Sequence, residues 1–136
     1  MKKALLILLL STTLFAVNNY NKGVDAYKHG DYKTALSYWM PYAMDNNAQA
    51  QYFIANIYYD GKGDIEQNYI KALKWYKKAS ANDYAKAQLK VGMMYAEGLG
   101  VLKSYTKAAP YIQSAFDNGC IMAPEVWKKY ELWKYE

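Results

Sequence analysis

Between Ala48 and Tyr59 the chain reads AQAQYFIANIYY, and Ala50, Ile54, Ala55 and Tyr58 fall at i, i+4, i+5 and i+8, on one side of a helix. Farther on, Ala72, Trp75, Tyr76 and Ala79 draw a second apolar stripe with helical spacing. Gly61 and Gly63 lie between the two stripes. Glycine reaches the left-handed conformation that a helix C-cap requires, so the pair predicts the end of one helix and a turn into the next. The pattern is that of a helical hairpin. In it, the small residue at Ala55 allows the second helix to approach closely, and Tyr58 fills the space beside it.

The hairpin recurs. Ala85 to Ala96, AKAQLKVGMMYA, repeats the first stripe 37 positions on, with Gly92 and Tyr95 in the places of Ala55 and Tyr58. Asp60-Gly-Lys-Gly63 is answered by Glu97-Gly-Leu-Gly100, and Ile70-Lys-Ala-Leu-Lys-Trp-Tyr76 by Thr106-Lys-Ala-Ala-Pro-Tyr-Ile112. Upstream, Ala35 and Leu36 stand 37 positions before Ala72 and Leu73, so a partial copy precedes both. Self-similarity at such a period is the mark of a repeat protein, whose units bury their apolar faces by stacking on one another. The pattern predicts helices over 18–29, 32–45, 48–60, 68–81, 84–97, 105–117 and 122–134. The seventh places Val126, Tyr130 and Trp133 on one side and Lys128, Lys129, Glu131, Lys134 and Glu136 on the other, as suits a terminal cap with one polar face.

These linked motifs resemble the Sel1-like repeat, a relative of the tetratricopeptide repeat. Its unit runs A-x-A-x-x-x-L-G-x-x-Y-x-x-G-x-G-V and then K-A-x-x-W-Y-x-K-A. Ala55 and Asp64 depart from the family's Gly and Val, which Gly92 and Val101 retain. The resemblance implies an all-α, right-handed solenoid of about three hairpins, over 17–47, 48–84 and 85–120, with a capping helix over 121–136. It also implies that the first helix of each hairpin lines a partner-binding groove. By matching positions, that places Gln49, Tyr52, Asn56 and Tyr59 there, followed by Lys86, Leu89, Met93 and Ala96. Tyrosine and methionine bring apolar area with adaptable contacts. The competing expectation is that Tyr52 or Leu89 packs between hairpins.

Lys2 and Lys3 ahead of the apolar run Ala4 to Leu10, continued by Leu14-Phe-Ala16, have the form of a secretory leader, with cleavage expected after Ala16. The run is too short for a spanning helix. No cysteine follows it, which disfavours lipidation there. Its removal takes two lysines from a formal net charge of +5, leaving a mild basic bias with interspersed acids, poorly suited to nucleic acid. A composition 53% hydrophobic and 17% aromatic predicts a folded chain. The single Cys120 has no internal partner for a disulfide and is either buried or available to another chain.

Candidate chemistry is sparse. His29, the one histidine, and Cys120 lack metal-ligand spacing to each other or to other residues, so no metal or cofactor is expected. Gly61-Lys-Gly63 and Gly98-Leu-Gly100 follow no strand, and helix-ending turns explain them better than phosphate binding. Ser104-Tyr-Thr-Lys107 has the S-x-x-K form of serine penicillin-recognising enzymes, but the companion K-T-G is absent. The repeat alignment puts Ser104 where Asn68 stands, at the start of a second helix, where Ser or Asn caps exposed N–H groups. The resemblance also carries a label of penicillin binding or weak β-lactamase activity, given to a cysteine-rich branch of secreted Sel1-like proteins whose paired cysteines this chain lacks. Lys71, Lys74, Lys77 and Lys78 share one side of their helix and are read as a solvated face.

The combined reading is an exported, non-enzymatic module that binds a protein or peptide partner in the bacterial cell envelope. A secreted β-lactamase-like or peptidoglycan-fragment hydrolase is the alternative. Glycan binding by the tyrosine-rich face is a third reading.

Overall fold

The computed structural model describes residues 18–135, so the expected leader over 1–16 lies outside the described residues. Helix α1 covers 18–28. It is followed by α2 (Tyr32–Met44), α3 (Ala48–Asp60), α4 (Tyr69–Ala81), α5 (Ala85–Glu97), α6 (Tyr105–Asp117) and α7 (Ala123–Lys129), then a 3-10 turn at Leu132–Lys134. Among the described residues there is no strand. The first six helices match the pattern-based expectation to within one residue at each end. Helices α3 and α4 form one hairpin and α5 and α6 the next, with α4 packed on α5, which makes the fold an all-α solenoid.

Local chemistry sets the helix ends. Asp31, Asn47, Asn68 and Ser104 each accept a hydrogen bond from the backbone N–H three residues on, at 3.1, 2.8, 2.8 and 3.2 Å, satisfying donors that a helix start leaves orphaned. At the other end Gly61 and Gly98 take φ of 65° and 75°, the left-handed caps that the glycine spacing predicts.

Close approach within each hairpin depends on one small residue facing one large one. A Cβ on Gly92 would lie 2.4 Å from Cγ1 of Ile112, and one on Gly23 2.6 Å from Nε1 of Trp39. Ala55 holds the corresponding place in the middle hairpin, and Tyr76 corresponds to Trp39 and Ile112. All three large residues are buried. Residues 18–44 are therefore a full hairpin of the same design. Its connection is shorter: α1 ends at 28 and α2 begins at Tyr32, whereas α3 ends at Asp60 and α4 begins at Tyr69. That shortening is why an offset of 37 aligns the second helices and hides the likeness of the first.

A buried polar staple joins successive hairpins. Gln51, with no exposed surface, donates from Nε2 to the Ala43 carbonyl (2.8 Å), while its Oε1 accepts from Asn82 Nδ2 (3.2 Å). One unit on, Gln88 donates to the Ser80 carbonyl (3.4 Å) and accepts from Asn118 Nδ2 (2.9 Å). Each amide donates to a carbonyl in the last turn of the preceding helix; that of Ala43 would otherwise be left over, while that of Ser80 also accepts from the Asp83 N–H.

Two expectations need correction. The helix over 122–134 is instead a short α7 and a separate 3-10 turn, because Glu131 adopts a left-handed conformation (φ 51°) that interrupts the helical rotation. The bend carries Leu132 into the core and leaves Trp133 about half exposed (49%), so Leu132 replaces Trp133 on the inner side. Trp75 is half-buried rather than enclosed. It touches the apolar clusters on both sides of α4, and the Lys78 ammonium stands 4.7 Å from its ring centroid. Its neighbour Tyr76 is the enclosed aromatic.

Candidate protein-binding groove

Helix α3, helix α5 and the connection from α6 to α7 surround a concavity of about 510 Å³. Lys86, Leu89, Lys90 and Met93 fall at i, i+3, i+4 and i+7 of α5, one helical face, and Tyr52 enters from α3. Leu89 is nearly buried and forms the floor. The opposite wall comes from Ile121 and Met122, which are 92% and 57% exposed.

Of the residues predicted for the groove, the fold thus brings together Tyr52, Lys86, Leu89 and Met93. Gln49 is exposed outside the cavity, and Ala96 is buried. Asn56 and Tyr59 serve the neighbouring core. Tyr76 donates its hydroxyl hydrogen to Asn56 Oδ1 (2.5 Å), and the rings of Tyr52 and Tyr59 lie 5.7 and 6.1 Å from that of Tyr76. The three residues form a sleeve around Tyr76, and Tyr52 belongs both to sleeve and groove. Burial raises the phenol pKa values of Tyr76, Tyr52 and Tyr59, Tyr52 against an opposing hydrogen bond with Asn56, so all three stay neutral donors at ordinary pH. Lys90 stands 4.7 Å from the Tyr59 ring centroid and links sleeve to rim.

Sequence reasoning missed Lys90, Cys120, Ile121 and Met122 as groove residues. A signal existed. By repeat alignment Ile121 and Met122 occupy the places of Ala85 and Lys86, at the start of a first helix, where large apolar side chains are out of pattern. Because α7 starts only at Ala123, they remain on the connection, beside α5. Cys120 is a free, half-buried thiol in the same wall.

The other candidates have structural occupations. Ser104 caps α6, and the Lys107 ammonium stands 5.9 Å from the ring centroid of Tyr95. In the lysine row of α4, Lys77 donates to the Tyr95 hydroxyl (2.7 Å), Lys71 stands over Tyr58 and Lys78 over Trp75. His29 Nδ1 pairs with the Asp25 carbonyl oxygen (2.8 Å). Among the described residues no group of three metal-ligating side chains occurs, and no helix is long and apolar enough to cross a membrane.

The family model of the Sel1 repeat matches residues 48–84 and 85–120, over half of the chain. The chain belongs to the Sel1 repeat family. The matched units are the α3–α4 and α5–α6 hairpins with their connections, and Sel1 repeats mediate protein–protein interaction. A curated relative, the ERAD-associated E3 ubiquitin-protein ligase component HRD3B of Arabidopsis thaliana, is 35% identical over 77 residues. The match spans 56% of this chain but only 12% of the plant protein.

Two solved structures share the architecture. One is a protective antigen present in uropathogenic Escherichia coli strains that displays an SLR fold (TM-score 0.76, 25% identity, 85% of this chain and 26% of that one). The other is a Sel1 repeat protein of Oxalobacter formigenes (TM-score 0.69, 28% identity, 78% of this chain and 46% of that one). The chain therefore spans well under two thirds of each of these relatives.

Proposed function

We propose that this Sel1 chain is a non-enzymatic binding module of the bacterial cell envelope that holds a segment of another protein in the groove between α3, α5 and the α6–α7 connection. The observation that carries the reading is the concavity itself. It has a volume typical of ligand sites, an apolar floor, and large apolar side chains held in solvent on its wall. Its lining mixes Tyr, Met and Leu with lysines at the edge, the apolar-centre and polar-rim arrangement of interfaces. Export rests on the charged and apolar pattern of residues 1–16, and the cap role of 121–136 on the polar face of α7.

The test is capture of partners from an envelope fraction, with Ile121→Ser/Met122→Ser as the control. Both side chains are exposed, so the double variant should keep its helical circular dichroism. It should also lose most of the captured material identified by mass spectrometry. Undiminished capture would move the binding surface away from this groove. Amino-terminal sequencing of envelope protein should begin at or near Val17, and an intact Met1 would remove the export assignment.

A further inference from the structure

The charges that line the groove are of one sign. Its lining holds two lysines and no acidic residue. Four lysines elsewhere in the described residues pair with carboxylates, Lys33 with Asp64, Lys62 with Asp60, Lys129 with Glu97 and Lys134 with Glu131, while the others, like those of the groove, do not. Lys86 and Lys90 have no such partner, although they sit one helical turn apart on the same face of α5. The ammonium of Lys90 stands over the Tyr59 ring face, an interaction that leaves its N–H donors free to meet an anion.

We infer that the occupant of the groove is an acidic peptide segment of a partner protein, with a large apolar side chain seated on Leu89 and Met93 between Tyr52 and Ile121–Met122, and neighbouring carboxylates meeting Lys86 and Lys90. This rests on the binding-module reading and adds the chemistry of what is bound. Two lysines a turn apart are separated by about 6 Å at their Cβ atoms, close to the distance of about 6.6 Å between residues two apart in an extended chain. Alternate acidic residues of an extended segment therefore match them. The cavity between lysines and loop takes the side chain that such a segment points inward. An acidic segment without the apolar anchor would leave Ile121 and Met122 in water, and an apolar one without acids would leave both ammoniums unpaired.

The experiment presents the purified protein with a displayed library of randomised short peptides. It then measures the selected peptides by fluorescence anisotropy against wild type, Lys86→Glu and Lys86→Glu/Lys90→Glu. Selection by wild type should enrich Asp and Glu beside Leu, Ile, Phe or Tyr. Affinity should fall with added salt, by a few fold for the single variant and by about tenfold or more for the double. The double variant should itself select Lys-containing or Arg-containing peptides.

Lys86 is exposed and has no ion pair, so its single variant keeps the test usable if the double one folds poorly. Enrichment of apolar peptides without acids, or wild-type affinity in both lysine variants, would overturn the inference while leaving the module reading in place. A wild-type protein that selects no peptide but binds anionic lipid vesicles would overturn it in favour of a surface role for the lysines. If, in addition, capture from the envelope fraction were indifferent to Ile121→Ser/Met122→Ser, the groove reading itself would fall.

Discussion

Replacing Gln51 with methionine tests whether the buried amide staple holds the hairpins together. Methionine is unbranched and of similar length, so it removes hydrogen bonding with little change in volume. The Ala43 carbonyl is in the last turn of α2, and among the described residues its hydrogen bond comes from Gln51 alone. Leaving it orphaned in a buried place costs about 1–3 kcal/mol. Loss of the longer bond from Asn82 adds about 0.5–1 kcal/mol, and the greater hydrophobicity of methionine returns part of this. The net is about 2 kcal/mol, or a fall in Tm of about 8 °C at about 4 °C per kcal/mol for a domain of this size. Gln88→Met is the internal comparison. The Ser80 carbonyl also accepts from the Asp83 N–H at 3.1 Å, so it keeps a partner and the loss should be about half as large. Thermal unfolding followed by circular dichroism reads both variants. A double-mutant cycle of Gln51→Met with Asn82→Ala should show coupling of about 0.5–1 kcal/mol. A Gln51→Met protein melting within a degree or two of wild type, or a Gln88→Met protein losing more, would refute this reasoning.

Three further outcomes follow from the packing. Tyr76→Ala should cost about 3–5 kcal/mol in chemical denaturation, because it empties an enclosed site and removes one hydrogen bond to Asn56, whereas Trp75→Ala, half-buried with Lys78 on its face, should cost clearly less. Ser104→Ala should lower stability by about 0.5–2 kcal/mol through the cap of α6, measured by thermal melting, with Ser104→Asp restoring most of it. Stability should hold up to about pH 9 and fall above pH 10. Burial pushes the phenol of Tyr20 up to about 12 and also raises those of Tyr52, Tyr59, Tyr76 and Tyr84, so the unfolded chain releases protons that the folded chain retains. Urea unfolding across that range, with phenolate absorbance as a second probe, would show the trend.

What the sequence determined by itself is local or periodic. Helix ends were legible because the residues that make them act within a few positions: Asn68 and Ser104 reach backbone N–H groups three residues away, and Gly61 and Gly98 supply a backbone conformation. The stacking architecture was legible because the same apolar stripes return at a fixed period. Only the tertiary structure decided what depends on distant neighbours. Gln51 and Gln88 look like ordinary polar helix residues until α2 and α4 deliver carbonyls to them from eight positions upstream and Asn82 and Asn118 close in from about thirty downstream. Gly23 gains its meaning from Trp39, and Leu132 its burial from the reversal at Glu131. The groove combines both levels. Its α5 face could be read from helical spacing, while its second wall exists because α7 starts late and leaves Ile121 and Met122 beside a helix more than twenty-five residues earlier in the chain. Helical periodicity tells which side of one helix is apolar, and it carries no information about which other segment will stand opposite.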